Sequence, residues 1–340
     1  MQDTRSSRRR FLRQSTALAG GVLIAPPVIL KHYQKPDSKI DGVQIGAITY
    51  SFRSMPDQSA EATLGYVTDA GISAIELMGD PAEEYAGAPA NPVNMGEFYG
   101  MMGRQRRGEL SSEEESELET MRERMEDHRR AMAEWRTKAD LKKFRQLRKL
   151  YADAGVSIYA FKPSAFGKDN SDAEIDYGMR AAKALGASHV TLEHPGDDGM
   201  TAKLGKMGKQ HGVRVAYHGH TQETPDFWDT ALRQSPANAL NFDAGHYVAA
   251  GYDPLELMRS KHRSIASMHT KDRTTPANGQ KNLPWGEGDT PIGAMLDLMR
   301  RGKVDYPATV ELEYEVPEGS DAVAEVAKCL EFCRKSLERA

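Results

Sequence analysis

Beyond its first forty residues the chain alternates short apolar runs with longer amphipathic stretches. VQIGAITYSF (43–52) predicts a first strand, AEATLGYVTDAG (60–71) a helix that stops at Gly71, and SAIELMG (73–79) a second strand. The beat resumes with strands at VSIYAFKPS (156–164), SHVTLEHP (188–195), RVAYHGHT (214–221), NALNFDAGH (238–246), IASMHTKD (265–272) and ATVELEYE (308–315). Helices are expected between them at 172–186, 202–212, 227–235, 254–262 and 293–302, with a last one from about 321 to 338. Eight strand-helix units predict an α/β chain folded as a (β/α)8 barrel. The rival is a doubly wound open sheet, which the lack of a Gly-rich dinucleotide loop disfavours.

Residues 81–138 interrupt this rhythm, so the barrel carries a helical insertion after its second strand. It begins as a Pro, Gly and Asn-rich loop and continues as a charged run, 110–144, in which Leu118, Met121, Met125, Met132 and Trp135 form one stripe. The stripe predicts a solvated helix packed on the barrel; a lid, or a subunit contact in a homo-oligomer, is the sharper alternative.

At the other end of the chain, SRRRFL (7–12) precedes the uncharged stretch 14–30 and resembles a twin-arginine export signal. The expected organisation is therefore signal 1–30, polar linker 31–42 and barrel 43–340. The signal predicts engagement of the twin-arginine machinery and a periplasmic or exported destination.

Composition narrows the picture only a little. A chain of 340 residues suits one barrel with extensions. A net charge of -4 gives no global pull toward nucleic acid. Cys329 and Cys333 lie four apart on the last helix, a spacing that suits two buried thiols better than a disulfide.

The candidate chemistry sits where the later apolar runs end. Glu193, His218 and His220, Asp243 and His246, His269 with Lys271 and Asp272, and Glu311 with Glu313 all close predicted strands. A barrel delivers the C-terminal ends of its strands to one rim, so these residues can converge. Carboxylates and imidazoles in that pattern suit one divalent ion, Mn first, with Co, Mg or Zn as alternatives. Asp243 and His269 are the leading ligand candidates. Strand alternation puts Glu311, Glu313 and Glu315 on one face, with Glu313 the preferred ligand and Glu311 deeper. Glu193 and His218 compete for the remaining position. His220 and Glu313 are candidate proton carriers, His246 a substrate or carboxylate contact, and Lys271 a group to polarise a substrate oxygen. Glu76 is either a further inward carboxylate or half of a structural ion pair.

Together with HGH (218–220), DAGH (243–246), HTKD (269–272), PWGEG (284–288) and ELEYE (311–315), the eight-unit pattern resembles the xylose isomerase-like barrel superfamily, and within it the sugar phosphate isomerases/epimerases. The resemblance covers about 42–338. It implies a single divalent ion held by Glu, Asp, His and Glu, with Asp243, His269 and Glu313 matching the ligands of the sixth, seventh and eighth strands. His218 stands where the better-known epimerases carry a glutamate on the fifth strand, and Glu193 is one strand earlier.

The expected function is a divalent-metal-dependent isomerase or epimerase acting by proton transfer through an enediolate on a small-molecule sugar, free or oxidised to a ketone. A lyase or hydratase acting on 3-keto glycosides is the rival within the enzyme class. A sugar-binding barrel without catalysis and a nuclease resembling endonuclease IV are the others, the last lacking a visible basic groove. No Gly-rich phosphate loop or Arg cluster supports a phosphorylated substrate.

Overall fold

The computed structural model describes residues 35–338. The expected export signal lies outside them. Eight parallel strands close on themselves: β1 Val43–Ile48, β2 Ala74–Met78, β3 Ser157–Lys162, β4 His189–Glu193, β5 Arg214–His218, β6 Asn238–Asp243, β7 Ile265–Thr270 and β8 Ala308–Val310. Each pairs with its sequence neighbours, and β8 pairs with β1 to shut the ring. This is the (β/α)8 TIM barrel that the alternation predicts. Lys39–Ile40 adds a short antiparallel strand beside β1.

The helices are α1 Ala60–Asp69, α2 Gly79–Tyr85, α3 Met95–Arg106, α4 Ser112–Lys138, α5 Leu141–Asp153, α6 Asp172–Leu185, α7 Asp198–His211, α8 Asp229–Gln234, α9 Ala244–Ala249, α10 Pro254–Lys261, α11 Ile292–Gly302 and α12 Ala322–Glu338. Local chemistry sets several of their ends. Ser171 and Glu174 form a capping box on α6, and Gly186 ends that helix in the left-handed region. Cys329 and Cys333 are free and buried on α12.

The insertion departs from expectation in two ways. The segment read as a loop contains α3, which Asn94 caps through its side chain. The charged run is two helices, broken at Ala139 and restarted by Asp140, whose carboxylate accepts from Lys142 N. The predicted stripe then divides its work along α4. Leu118, Met121 and Met125 pack with Val93, Phe98 and Met101 in a small separate core. Further along, Trp135 meets Tyr177 of α6 edge-on with centroids 5.6 Å apart. Next to Trp135, Arg136 is buried and reaches Glu83 (3.0 Å) and Glu174 (3.2 Å), tying α4 to α2 and α6.

The barrel interior is polar where many such barrels are aliphatic. At its floor Tyr159 crosses to Thr309 (Oη to Oγ1, 2.7 Å) and His189 Nε2 meets Ser267 Oγ at 3.0 Å. Gly46 is needed there, because a Cβ would lie 2.7 Å from the Tyr159 ring. One layer higher, Glu76, Thr191, Asn241 and His269 form a buried network. Through Asn241 and His269 it contacts His218 and Glu311, where the candidate residues meet.

Candidate active site

Parallel register lines up the ends of the strands. Glu193 pairs with His218, His218 with Asn241, and Asp243 with His269. Inward alternation therefore stacks His218, Asp243 and His269 around one point. His218, Asp243, His269 and Glu311 each offer a ligand atom, and those atoms lie within 4.8 Å of one another.

Each member is held by a specific partner. Asp243 caps α9, its Oδ1 accepting from His246 N at 2.7 Å, so Oδ2 is left facing the cluster. That oxygen is buried without a hydrogen-bond partner among the described residues; Lys271 Nζ is 3.0 Å away but off the line a hydrogen bond requires. His218 Nδ1 meets Asn241 Oδ1 at 3.1 Å, which turns Nε2 inward. His269 Nε2 is 2.8 Å from Glu76 Oε2, which turns Nδ1 toward Glu311 Oε2 at 2.9 Å. A carboxylate or amide behind each imidazole is how metal-ligating histidines are usually oriented.

The structure sets two of the expected ligands apart from the four donors. Glu313 stands outside the four-donor group and Glu311 takes its place. Both lie on the inward face, but β8 pairing ends at Val310, and Glu311, one step deeper, reaches His269 while Glu313 stops at Lys271 (2.8 Å). Glu193 is also outside the group. Its side chain is 55% exposed and pairs with His220 Nε2 (3.0 Å) and Lys162 Nζ (2.9 Å).

Lys271 is fully buried, and its ammonium contacts Glu311 (2.6 Å), Asp243 (3.0 Å), Glu313 (2.8 Å) and His246 Nε2 (3.1 Å). Its donors are directed at protein groups, which makes it the counter-ion of the cluster. His246 faces that ammonium on one nitrogen and the Arg273 guanidinium on the other. Gly245 permits this packing, since a Cβ would lie 2.8 Å from the Lys271 carbonyl oxygen.

The protonation states follow from burial and neighbours. Burial, with the His269 charge beside it, lowers His218 to about 3. Burial and Lys271 lower His246 to about 3. For His269, burial pulls down but Glu311 and Glu76 outweigh it and raise the pKa to about 10. Burial likewise opposes the Glu76 anion, yet His269 brings it down to about 2. Lys271 is held protonated against burial by Asp243, Glu311 and Glu313. His220, on the rim, is raised by its hydrogen bond to Glu193.

These residues fit a divalent cation. Four donors converge, one of them a buried oxygen with no hydrogen-bond partner, and the carboxylates of Glu76, Asp243, Glu311 and Glu313 outnumber the cationic Lys271 and His269. Neutral His218 with the carboxylates of Asp243 and Glu311 suits Mn, Mg, Co or Zn, and His269 would join them as a donor on giving up a proton.

Sequence reasoning missed Asn241, Thr191 and Lys162, none of which carries a spacing signal. It also missed Glu223, buried with both carboxylate oxygens unpartnered among the described residues. Burial, then the Asp243 charge, pushes its pKa well above the usual carboxylate range.

Fold and site together define a closed (β/α)8 barrel with an imidazole and carboxylate cluster at its C-terminal mouth. The profile of the xylose isomerase-like TIM barrel family matches residues 123–335, and the chain belongs to that family. Among solved structures, a xylose isomerase domain protein from Planctomyces limnophilus is similar with a TM-score of 0.55 at 17% identity, over 88% of this chain and 99% of that one. The 3-keto-D-glucoside 4-epimerase of E. coli matches with a TM-score of 0.55 at 10% identity, over 86% of this chain and 99% of that one. Both likenesses are of fold. Among curated proteins, an inosose dehydratase of Clostridium perfringens is 32% identical over 75 residues, which is 21% of this chain and 25% of that protein. The match thus spans about a quarter of that relative's length.

Proposed function

We propose that the chain is a divalent-metal-dependent sugar isomerase or epimerase that moves a proton on a carbon next to a carbonyl. The observation that carries this reading is the pairing of a four-donor cluster with a carboxylate-backed imidazole at its edge. His220 is half-exposed, hydrogen-bonded to Glu193, and its ring centroid lies 5.0 Å from that of His218.

His218, Asp243, His269 and Glu311 would hold the ion. When bound, it would supply Lewis-acid polarisation of adjacent carbonyl and hydroxyl oxygens. Glu193 accepts from His220 Nε2–H, orients the ring and stabilises its charged form, so Nδ1 is the nitrogen left to take up a proton and return it. Glu313, on the rim beside His246 (3.9 Å), is the second proton carrier. Lys271 and Glu76 keep Glu311 and His269 in place. Return of the proton to another carbon isomerises the sugar, and return to the other face epimerises it.

Dehydration is the second reading. His218 stands on β5 where a second carboxylate would support symmetric proton exchange between two faces. The same removal by His220, followed by delivery of that proton to the hydroxyl on the next carbon and its departure as water, gives an unsaturated ketone, the outcome that the name of the curated dehydratase relatives suggests.

The test is incubation of the metal-loaded protein with aldoses, ketoses, inososes and 3-keto glycosides in deuterated water. Isomerisation and epimerisation place label on different carbons, and dehydration yields an enone absorbance. Asp243→Asn and His269→Ala are expected to lose metal and turnover together; full metal occupancy and turnover in both would exclude the site.

A further inference from the structure

The cluster occupies the β5–β8 side of the mouth, and the inserted helices rise over the β1–β3 side. Between insert and rim runs a groove of about 790 Å³, bounded by Tyr50 after β1, Asp80 on α2, Ser164 after β3, Tyr99 on α3 and Arg129 on α4. It shares Ser164, Gly167 and Asn170 with a second hollow of about 430 Å³, and that hollow ends at Glu193, the carboxylate that holds His220. The two hollows thus lead from the insert to the carboxylate that holds His220. Each hollow falls in the range of a pocket for a whole small molecule. The two in series have room for a ligand longer than one ring.

The lining selects the kind of ligand. Tyr99 is 63% exposed although its ring packs edge-on against Phe98, with centroids 5.8 Å apart. A flat aromatic face held toward solvent beside a groove is a platform for the apolar face of a ring. The guanidinium groups around it are already engaged. Arg129 binds Glu126 through two nitrogens (2.9 and 2.7 Å), Arg122 binds Glu119 (3.1 Å) and Gln105 (2.8 Å), and Arg136 binds Glu83. An anionic ligand would call for unspent guanidinium. Asp80 adds an acceptor for hydroxyl groups.

We propose that the groove between the insert and the rim is a second sugar subsite, so that the substrate is a glycoside of at least two rings, one at the His218–His269 cluster and the next against Tyr99. This rests on the reading above that the reacting ring is a sugar.

The test uses the full chain loaded with magnesium and ligand-observed saturation-transfer NMR with methyl glucoside, cellobiose, maltose and trehalose. At least one disaccharide should bind about tenfold more tightly than methyl glucoside, the contribution of one well-formed ring contact. Tyr99→Ala, at an exposed position, should abolish that advantage and leave methyl glucoside binding unchanged. Equal binding of one and two rings by the wild type, or an advantage that survives Tyr99→Ala, overturns the subsite while label exchange in deuterated water still tests the reaction. If none of the four sugars binds, the subsite falls, and label exchange with the ketoses, inososes and 3-keto glycosides decides the reaction separately.

Discussion

Lys271 offers the sharpest test of the cluster, because its ammonium and a divalent ion would share the same carboxylate oxygens. Replacing it by Met removes the charge from among Asp243, Glu311 and Glu313 while keeping an apolar chain of similar length. Breaking a buried ion pair by deleting one partner costs roughly 3–5 kcal/mol. With an unfolding entropy of about 2.1 cal/mol/K per residue, a chain of 340 residues gains or loses roughly 0.7 kcal/mol per degree, so metal-free Lys271→Met should melt about 4 to 7 °C lower. Manganese at a hundred times its Kd contributes about 2.7 kcal/mol, close to 4 °C. In the wild type the ion meets a resident ammonium; in the variant it meets the same three carboxylates with only His269, beside Glu311, left to offset them. The rise in Tm on adding metal should therefore be larger in the variant, read by differential scanning calorimetry with and without chelator. An equal or smaller rise would refute a shared set of oxygens, and an unchanged metal-free Tm would refute the buried ion pairing itself.

Three further outcomes follow from other parts of the molecule. Glu223 holds a proton more tightly folded than unfolded, so its stabilising contribution is complete below an unfolded pKa of about 4.3 and is lost as pH rises toward the raised folded value. Glu223→Gln should thus gain on the wild type by up to about 1.4 kcal/mol per pH unit in metal-free melts from pH 5 to 9; a constant difference would contradict a neutral buried acid. Arg136→Met strands Glu83 and Glu174 and should cost roughly 3 kcal/mol in urea melts, with faster proteolysis between α2 and α5; unchanged cleavage would mean the pair does not anchor the insert. We propose export by the twin-arginine route, and Arg8→Lys with Arg9→Lys should keep a reporter fused to residues 1–42 in the cytoplasm; continued export would remove that assignment.

Much of the fold was legible because burial on two sides writes itself into a parallel strand as an apolar run, and each run here ends in a group that needs water or a partner. Asp243 and His269 stood out for that reason. The choice between Glu311 and Glu313 did not, since alternation assigns both to the inner face and only the end of β8 pairing decides which one reaches His269. Glu193 looked like a ligand because it ends the fourth strand, yet it pairs with His220 and with Lys162, a lysine with no motif around it. The break between α4 and α5 was hidden because charged residues continue across it and only the Asp140 cap marks the restart. Asn241 is a neutral residue in an apolar run, and nothing in its spacing discloses that it orients one imidazole and contacts another.

The motif 269–272 shows how one short string serves two purposes. His269 and Lys271 point inward, to Glu311 and the cluster. Asp272 points away, and its carboxylate accepts N–H groups from Gly286 (2.7 Å), Gly288 (2.9 Å) and Thr290 (3.2 Å). Gly286 has φ +96°, and a Cβ at Gly288 would collide with the Asp272 carboxylate, so the two glycines of 284–288 are there to let a backbone loop close on that side chain. The loop thereby braces the outer side of β7 while the inner side carries the chemistry. Parity along the strand connects a sequence motif to the face that carries the donor cluster and to its support. Consequently Asp272→Asn should loosen the 284–290 loop without removing a ligand, whereas Lys271→Met should alter metal response without freeing the loop.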